Sequence, residues 1–378
     1  MTKEKDILQE QLSSILKGNT FNEGMAALSH YLSLQGTPFE KPYKKILEKN
    51  SIDFSNIPNQ SAYLNKFAKF PPLTGTKFSF IDLFAGIGGF RLALQDAGGT
   101  CVFSSEWDAA AKQTYSANYA EIPFGDITKI EPTFIPNFDI LTGGFPCQPF
   151  SSIGKREGFE HKTQGTLFFF IAKIIKAKRP KVFLLENVPG LITHNEGETL
   201  KIILETLHEL HYDVSIKVLN SADFGVPQER KRLYFVGFRK DLKIKDFQFP
   251  IAKKQKVGIG SFIEKDAEGP SISKKLQHSY IFKKDDGHPE IVDSSTSHPV
   301  KTLCASYHKI QRITGTFVKG GKTGLRLFTE QECKAVMGFP KNFRVPVSRT
   351  QMYHQFGNSV AVPVIKEIIK EIVKKMGW

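Results

Sequence analysis

The chain is poor in cysteine, in acid and in long apolar runs. Its 378 residues include four cysteines, Cys101, Cys147, Cys304 and Cys333, and none forms a CxxC pair. That spacing offers no zinc site and is too sparse for a disulfide framework, so reduced thiols are expected. Lys and Arg number 52 against 38 Asp and Glu, a formal charge of +14, which points to a polyanionic partner. No apolar run reaches the roughly 18 residues that a membrane-spanning helix needs. The first residues, Met1-Thr2-Lys3-Glu4-Lys5-Asp6, lack the apolar stretch of a signal peptide, so the expectation is a cytoplasmic protein without membrane contact. The dinucleotide fingerprint GxGxxG is also missing, which counts against a dehydrogenase.

Hydrophobic residues make up 40% of the chain and aromatics 12%, enough for a sizeable core. Residues 1–72 read as short amphipathic helices closed by Pro71-Pro72 and Gly75. They carry no chemical motif, and a packing or dimerisation extension is the plain reading. From residue 78 the pattern alternates. Strands are expected at 78–83, 101–105, 138–141, 182–185, 214–219 and 233–238. Helices are expected at 90–97, after Asp108 to 119, at 165–178 and at 199–210. Such alternation implies an α/β fold, a parallel sheet covered by helices on both faces. Residues 241–349 are rich in Lys, Ser, Gly and Pro and read as a smaller, irregular β-rich domain, although they include a helix at 329–337. A terminal helix is expected at 364–376.

Six segments carry chemistry. Asp82-Leu83-Phe84-Ala85-Gly86-Ile87-Gly88-Gly89 is a strand running into a glycine turn, the kind of edge where nucleotide-like cofactors bind. Glu106-Trp107 at the next strand tip offers a carboxylate for ribose hydroxyls and an indole for stacking, and Gly125-Asp126-Ile127 follows at a third tip. In Gly143-Gly144-Phe145-Pro146-Cys147-Gln148-Pro149-Phe150-Ser151 a lone cysteine sits in a loop stiffened by prolines, as an accessible nucleophile would. Glu186-Asn187-Val188-Pro189 brings a carboxylate to the same sheet edge, and Gln228-Glu229-Arg230-Lys231-Arg232 places two arginines on one face of a strand, where both guanidinium groups meet one phosphate or base.

In this order the segments closely resemble the bacterial cytosine-5 DNA methyltransferases of restriction–modification systems. The match runs over residues 78–239 and 325–378 and includes Gln355-Phe356-Gly357-Asn358-Ser359-Val360. The resemblance implies a Rossmann-like S-adenosylmethionine-dependent methyltransferase sheet formed by residues 76–240 and 350–378, with 241–349 as the target-recognition domain and 1–72 as a helical extension. It implies S-adenosylmethionine contacts at Phe84, Gly86, Glu106, Trp107, Asp126, Ile127, Leu167, Asn358 and Val360, with the terminal helix packed into the first domain. Cys147 is implied as the nucleophile, Glu186 as the partner of ring nitrogen 3, and Arg230 and Arg232 as the pair orienting a flipped base. Gln148, Ser151 and the loop to His161 are implied to close on double-stranded DNA, and Gln228 and Arg312 are further candidate DNA contacts. No metal is called for. A cognate restriction endonuclease acting on the same site, without direct contact, is the implied partner. Two rivals remain at this point. One is a transfer RNA cytosine-5 methyltransferase, whose family shares the cysteine loop. The other is a DNA-binding repressor on the same fold.

Overall fold

The computed structural model describes residues 22–52, 68–71, 76–146, 167–252 and 255–378. Cys147, Gln148, Ser151, the loop to His161 and the amphipathic stretch at residues 7–16 lie outside them. Two compact units emerge: Met1–Val218 with Arg232–Phe249 and Ile369–Trp378, and Leu219–Lys231 with Pro250–Ile368.

The first unit is built on a six-stranded sheet of order β2-β1-β3-β4-β6-β5. Its strands are β1 (Phe78–Leu83), β2 (Gly99–Ser105), β3 (Ile140–Gly144), β4 (Val182–Asn187), β5 (Tyr212–Asn220) and β6 (Lys231–Arg239). β1 pairs in parallel with β2 and β3, β3 in parallel with β4, and β4 antiparallel with β6. The central strands are buried along almost their whole length, as continuous apolar runs such as Val182-Phe183-Leu184-Leu185 require. The chain leaves β1 toward β2 on one side and reaches β3 on the other. That reversal opens a crevice at the carboxyl ends of β1 and β3.

Among the described residues this unit has the α-helices α1 (Glu23–Leu34), α2 (Lys41–Lys49), α3 (Gly89–Asp96), α4 (Ala109–Tyr119), α5 (Leu167–Lys178) and α6 (Glu198–Glu209). Asp108 caps α4 by accepting from the Ala111 amide at 2.7 Å, as its place before the helix implies. β3 departs from expectation. It starts at Ile140 and runs through Thr142-Gly143-Gly144, residues whose propensity argues against a strand. Pairing with β4 overrides propensity there, because Gly143 and Gly144 sit beside Leu185 and Glu186. Asp139 instead accepts from the Ser79 amide and hydroxyl and pairs with Lys181 at 2.8 Å.

The N-terminal helices are part of this core. Tyr43 donates to the Val102 carbonyl, and the Ser29 hydroxyl accepts from the Ile122 amide at 3.0 Å. His30 is fully buried, donates through Nδ1 to the Ala26 carbonyl and stacks between Tyr43 and Phe124. Burial lowers its pKa, against the pull of Glu121. Glu121 itself takes a buried two-bond ion pair from Arg91, both contacts at 2.7 Å. Burial alone would raise that carboxyl, but Arg91 outweighs it and holds it below the usual carboxylate range.

The second unit carries a three-stranded sheet of β7 (Glu290–Val292), β8 (Thr316–Lys319) and β9 (Leu325–Arg326), with helices α7 (Glu330–Met337) and α8 (Arg349–Asn358). Thr329 and Glu332 form a reciprocal capping box on α7, and Glu332 also takes both terminal nitrogens of the buried Arg326, at 2.7 and 2.8 Å. Most other backbone here runs in turns. A final helix, α9 (Val362–Met376), follows, and the last residues, Ile369–Trp378, count with the first unit, where Trp378 stacks on Phe78 at 5.0 Å.

Glu121→Gln leaves the Arg91 guanidinium buried without a counter-charge. We expect a loss of about 3–5 kcal/mol in urea unfolding. Replacing both partners by apolar residues of similar volume should recover much of it. A Glu121→Gln protein as stable as the parent would remove the pair from the stability argument.

Candidate active site

The glycine turn after β1 has the backbone its sequence demands. Phe84, Gly86 and Gly88 all have positive φ, at 53°, 55° and 86°. Gly88 caps α3, and a methyl group there would strike the Tyr119 ring. At Gly86 an added methyl would meet nothing nearer than the Phe84 carbonyl at 4.0 Å, so this turn borders open space. The Glu106 carboxylate is largely buried and doubly held, by the Gly86 amide and the Asp108 amide, each at 2.8 Å. Burial raises its pKa, and those amides oppose the rise. Trp107 is 82% exposed, a large apolar surface with no covering side chain among the described residues. Asp126 caps the next turn through Thr128, and Ile127 is buried beside it. Leu167 is half-buried at the start of α5.

Asp82 was not singled out from sequence, although an acid in the mostly apolar, fully buried strand Phe78–Leu83 is a legible signal. Its side chain is fully buried. One oxygen accepts from Thr142 at 3.1 Å, and the other has no hydrogen-bond partner. Burial pushes its pKa up to about 8, with Thr142 and Arg91 pulling the other way. An orphaned buried carboxylate oxygen at this edge suits a ligand that brings a positive charge.

At the neighbouring tips, Gly144 lies beside Glu186 in the β3–β4 register. Arg232 bonds Glu186 at 3.0 Å through Nε, with both side chains mostly covered. Asn187, also unassigned from sequence, donates to the Phe145 carbonyl at 3.0 Å and accepts from the Val188 amide at 2.8 Å. It therefore ties the end of β4 to the residue two before Cys147, and Phe145 is buried against Phe168 and Phe235.

Three expectations need correcting. Arg230 does not present its guanidinium beside that of Arg232. It is buried in the second unit, donating to the carbonyls of Leu303, Gly357 and Ser359 at 3.2, 2.9 and 2.7 Å. Arg230 thereby clamps the backbone on either side of Asn358, which is exposed, while Val360 is buried. Gln228 is wholly buried as well, donating to the Val336 carbonyl and accepting from the Leu303 amide. Arg312 spends its nitrogens on Asp286 and on the carbonyls of Ile281, Lys284 and His288. Neither Gln228 nor Arg312 offers a free group to DNA in this arrangement.

The remaining cysteines do not compete for reactivity. Burial pushes the Cys101 thiol up to about 12 and the Cys333 thiol well above its ordinary value, and the Cys304 thiol bonds the Thr302 carbonyl.

A mostly parallel sheet with a glycine turn, an amide-held carboxylate and an exposed indole at its switch point is the arrangement in which α/β proteins bind nucleotide-like ligands. The family model for C-5 cytosine-specific DNA methylases matches residues 78–374. The type II methyltransferase M.MspI of Moraxella sp is 52% identical over 345 residues, covering 91% of this chain and 80% of that protein. M.BsuFI of Bacillus subtilis is 59% identical over 295 residues, covering 78% and 72%. Among solved structures, a mutant DNMT2 of Spodoptera frugiperda aligns with a TM-score of 0.64 at 23% identity, covering 78% of this chain and 99% of that one, a likeness of fold. The chain belongs to the C-5 cytosine-specific DNA methylases, enzymes that methylate carbon 5 of cytosine in DNA with S-adenosylmethionine as donor.

Two measurements test the site. The folded chain keeps a proton on Asp82 from the unfolded value of 3.8 up to about 8, so this group makes stability fall as pH rises through that window. Asp82→Asn removes the titration, and its melting temperature relative to the parent should climb by several degrees between pH 5 and 9. A pH-independent difference would deny the raised pKa. Asn187→Ala should lower kcat by about tenfold or more with KM for S-adenosylmethionine nearly unchanged. A raised KM at normal kcat would place Asn187 with the cofactor instead.

Proposed function

We propose that this chain is a type II, sequence-specific methylase that acts on cytosine in double-stranded DNA through a covalent Cys147 adduct, in the bacterial cytoplasm, protecting a site that a cognate endonuclease cuts. The observation that carries the reading is the Glu186–Arg232 pair at the β4–β6 edge, with Asn187 fixing the approach to Cys147.

The residues fit S-adenosylmethionine. Glu106 would hold the ribose, Trp107, Phe84, Asp126 and Ile127 the adenine end, and Gly86 and Leu167 would line the site. The orphaned Asp82 oxygen matches an ammonium group. When bound, this donor supplies an electrophilic methyl group on a sulfonium.

The chain's own residues do the rest. The target base must leave the helix, at a cost of a few kcal/mol. The Cys147 thiolate adds to carbon 6 of the base, and the ring's electron pair shifts toward carbon 5 and nitrogen 3. Glu186, steadied by Arg232, hydrogen-bonds at nitrogen 3 and stabilises the developing charge. Carbon 5 becomes nucleophilic and is methylated. A water molecule takes the carbon-5 proton, the freed electron pair re-forms the carbon 5–carbon 6 double bond, and Cys147 departs as thiolate. The net positive charge of the chain draws in the phosphates.

Bisulfite sequencing of mixed-sequence duplex DNA incubated with protein and donor, with transfer RNA in parallel, tests the reading. Protected cytosines at one short DNA motif are expected. Protection in RNA alone would overturn it. Cys147→Ala should abolish transfer while leaving DNA binding measurable, and Glu186→Gln should slow transfer by about a hundredfold or more. Near-normal turnover in Glu186→Gln would remove that residue from the mechanism.

A further inference from the structure

The second unit exposes three large apolar side chains close together: Tyr280 at 42%, Phe282 at 51% and Ile313 at 64%. Few large hydrophobic residues are so exposed elsewhere among the described residues. Two loops bring them together. In the first, a helical turn at Lys274–Leu276 widens into a π-helical turn, Gln277–Ile281, which leaves Tyr280 at the surface and buries Ile281. The second carries Arg312 and Ile313. Arg312 staples one loop to the other. Its side chain is buried, its terminal nitrogens pair with both oxygens of Asp286, and it donates to the carbonyls of Ile281, Lys284 and His288. Its own amide donates to the Tyr280 hydroxyl at 3.3 Å.

Such a staple holds exposed apolar tips in one arrangement, which is costly to maintain in water unless a ligand covers them. The charge around the tips indicates which ligand. Lys283, Lys284 and Lys309 are exposed beside them, while Asp286 is neutralised by Arg312, so the rim is basic with Asp285 as the acid left on the segment. An apolar centre with a lysine rim fits a DNA groove. Apolar side chains meet thymine methyls or wedge between base steps, and lysines take the flanking phosphates.

We propose that Tyr280, Phe282 and Ile313 form the surface that determines which DNA sequence this enzyme selects, with Arg312 as the residue that positions them. The inference rests on the DNA methylase reading and deepens it. Phe282 is half exposed and its side chain carries no polar atom. Its loss removes apolar contact with the bases and leaves the lysine rim intact.

The test compares parent, Phe282→Ala, Ile313→Ala and Lys309→Ala proteins on two duplexes, one carrying the motif found by bisulfite sequencing and one of scrambled sequence. Phe282→Ala and Ile313→Ala should weaken binding to the motif duplex by about tenfold to a hundredfold while scrambled-duplex binding holds, so the specificity ratio collapses. Lys309→Ala should weaken both duplexes alike and flatten the salt dependence. Melting curves and S-adenosylmethionine binding should match the parent in all three. A Phe282→Ala enzyme with the parent's specificity ratio overturns the proposal. So does a variant that keeps that ratio and shifts oligomeric state, which would assign the patch to a second copy of the chain. A parent that methylates no DNA would instead overturn the functional reading beneath it.

Discussion

Between β3 and β4 a side chain is nearly excluded. Gly143 lies beside Leu83 on one side and Leu185 on the other, and Gly144 lies beside Glu186, where an added methyl would sit 3.3 Å from the carboxylate. Glycine at these two positions leaves the carboxyl end of β3 uncrowded beside Leu83 and Glu186, and the site's geometry rests on the parallel register that sets those residues side by side. Asn187 reaches back to the Phe145 carbonyl across the gap. On the other side of β4, the antiparallel register sets Glu186 opposite Tyr234 and Asn187 opposite Leu233. Arg232 precedes that last pair and reaches Glu186 along the strand edge. Fixing one strand fixes the others, and a glutamate, an arginine and the entry to the cysteine loop share one edge without help from any flexible segment.

Buried charge is handled in two contrasting ways in the first unit. Arg91 and Glu121 satisfy each other, with Tyr115 and Gln95 bonding the remaining guanidinium nitrogens, so that pair is closed. Asp82 is left with an unmet oxygen. A closed pair adds rigidity, whereas burial holds the open carboxyl in its protonated form up to about pH 8. The N-terminal helices belong to the closed side. They place His30, Tyr43 and Ser29 against β2 and the segment following α4, and β2 leads directly into Glu106. The N-terminal helices thus brace, through packing, the strand that leads into Glu106.

Much of this was legible in the sequence, because it depends on local pattern. Apolar runs located β1 and β4, Asp108 announced the cap of α4, and positive-φ glycines marked the turn at Gly86 and Gly88. The misreadings share a different physical origin. β3 was placed two residues early, because Gly143-Gly144 looks like a turn until its neighbours on both sides are known. Arg230 and Arg232 alternate as strand residues should, yet one arginine meets a carboxylate while the other meets carbonyls 127 and 129 residues further along. Gln228 and Arg312 read as surface polar groups for the same reason. Pattern reports which way a side chain faces on its own strand. It does not report whether distant backbone with unmet carbonyls will come to meet it.

That need for carbonyl partners also accounts for the character of the second unit. Its sheet is small, so many carbonyls have no ladder partner and must be satisfied in other ways. Three arginines take much of that role: Arg230 on the segment around Asn358, Arg312 on the two loops bearing the apolar tips, and Arg326 on the Leu327 and Glu264 carbonyls. A guanidinium offers five donors in a fixed fork, so one buried arginine organises several turns at once. A strand ladder would tie every residue of a loop into its register. An arginine staple ties only the carbonyls it touches, and the side chains between those points are free to differ. A domain held together in this way can change the residues at its tips without rebuilding its core.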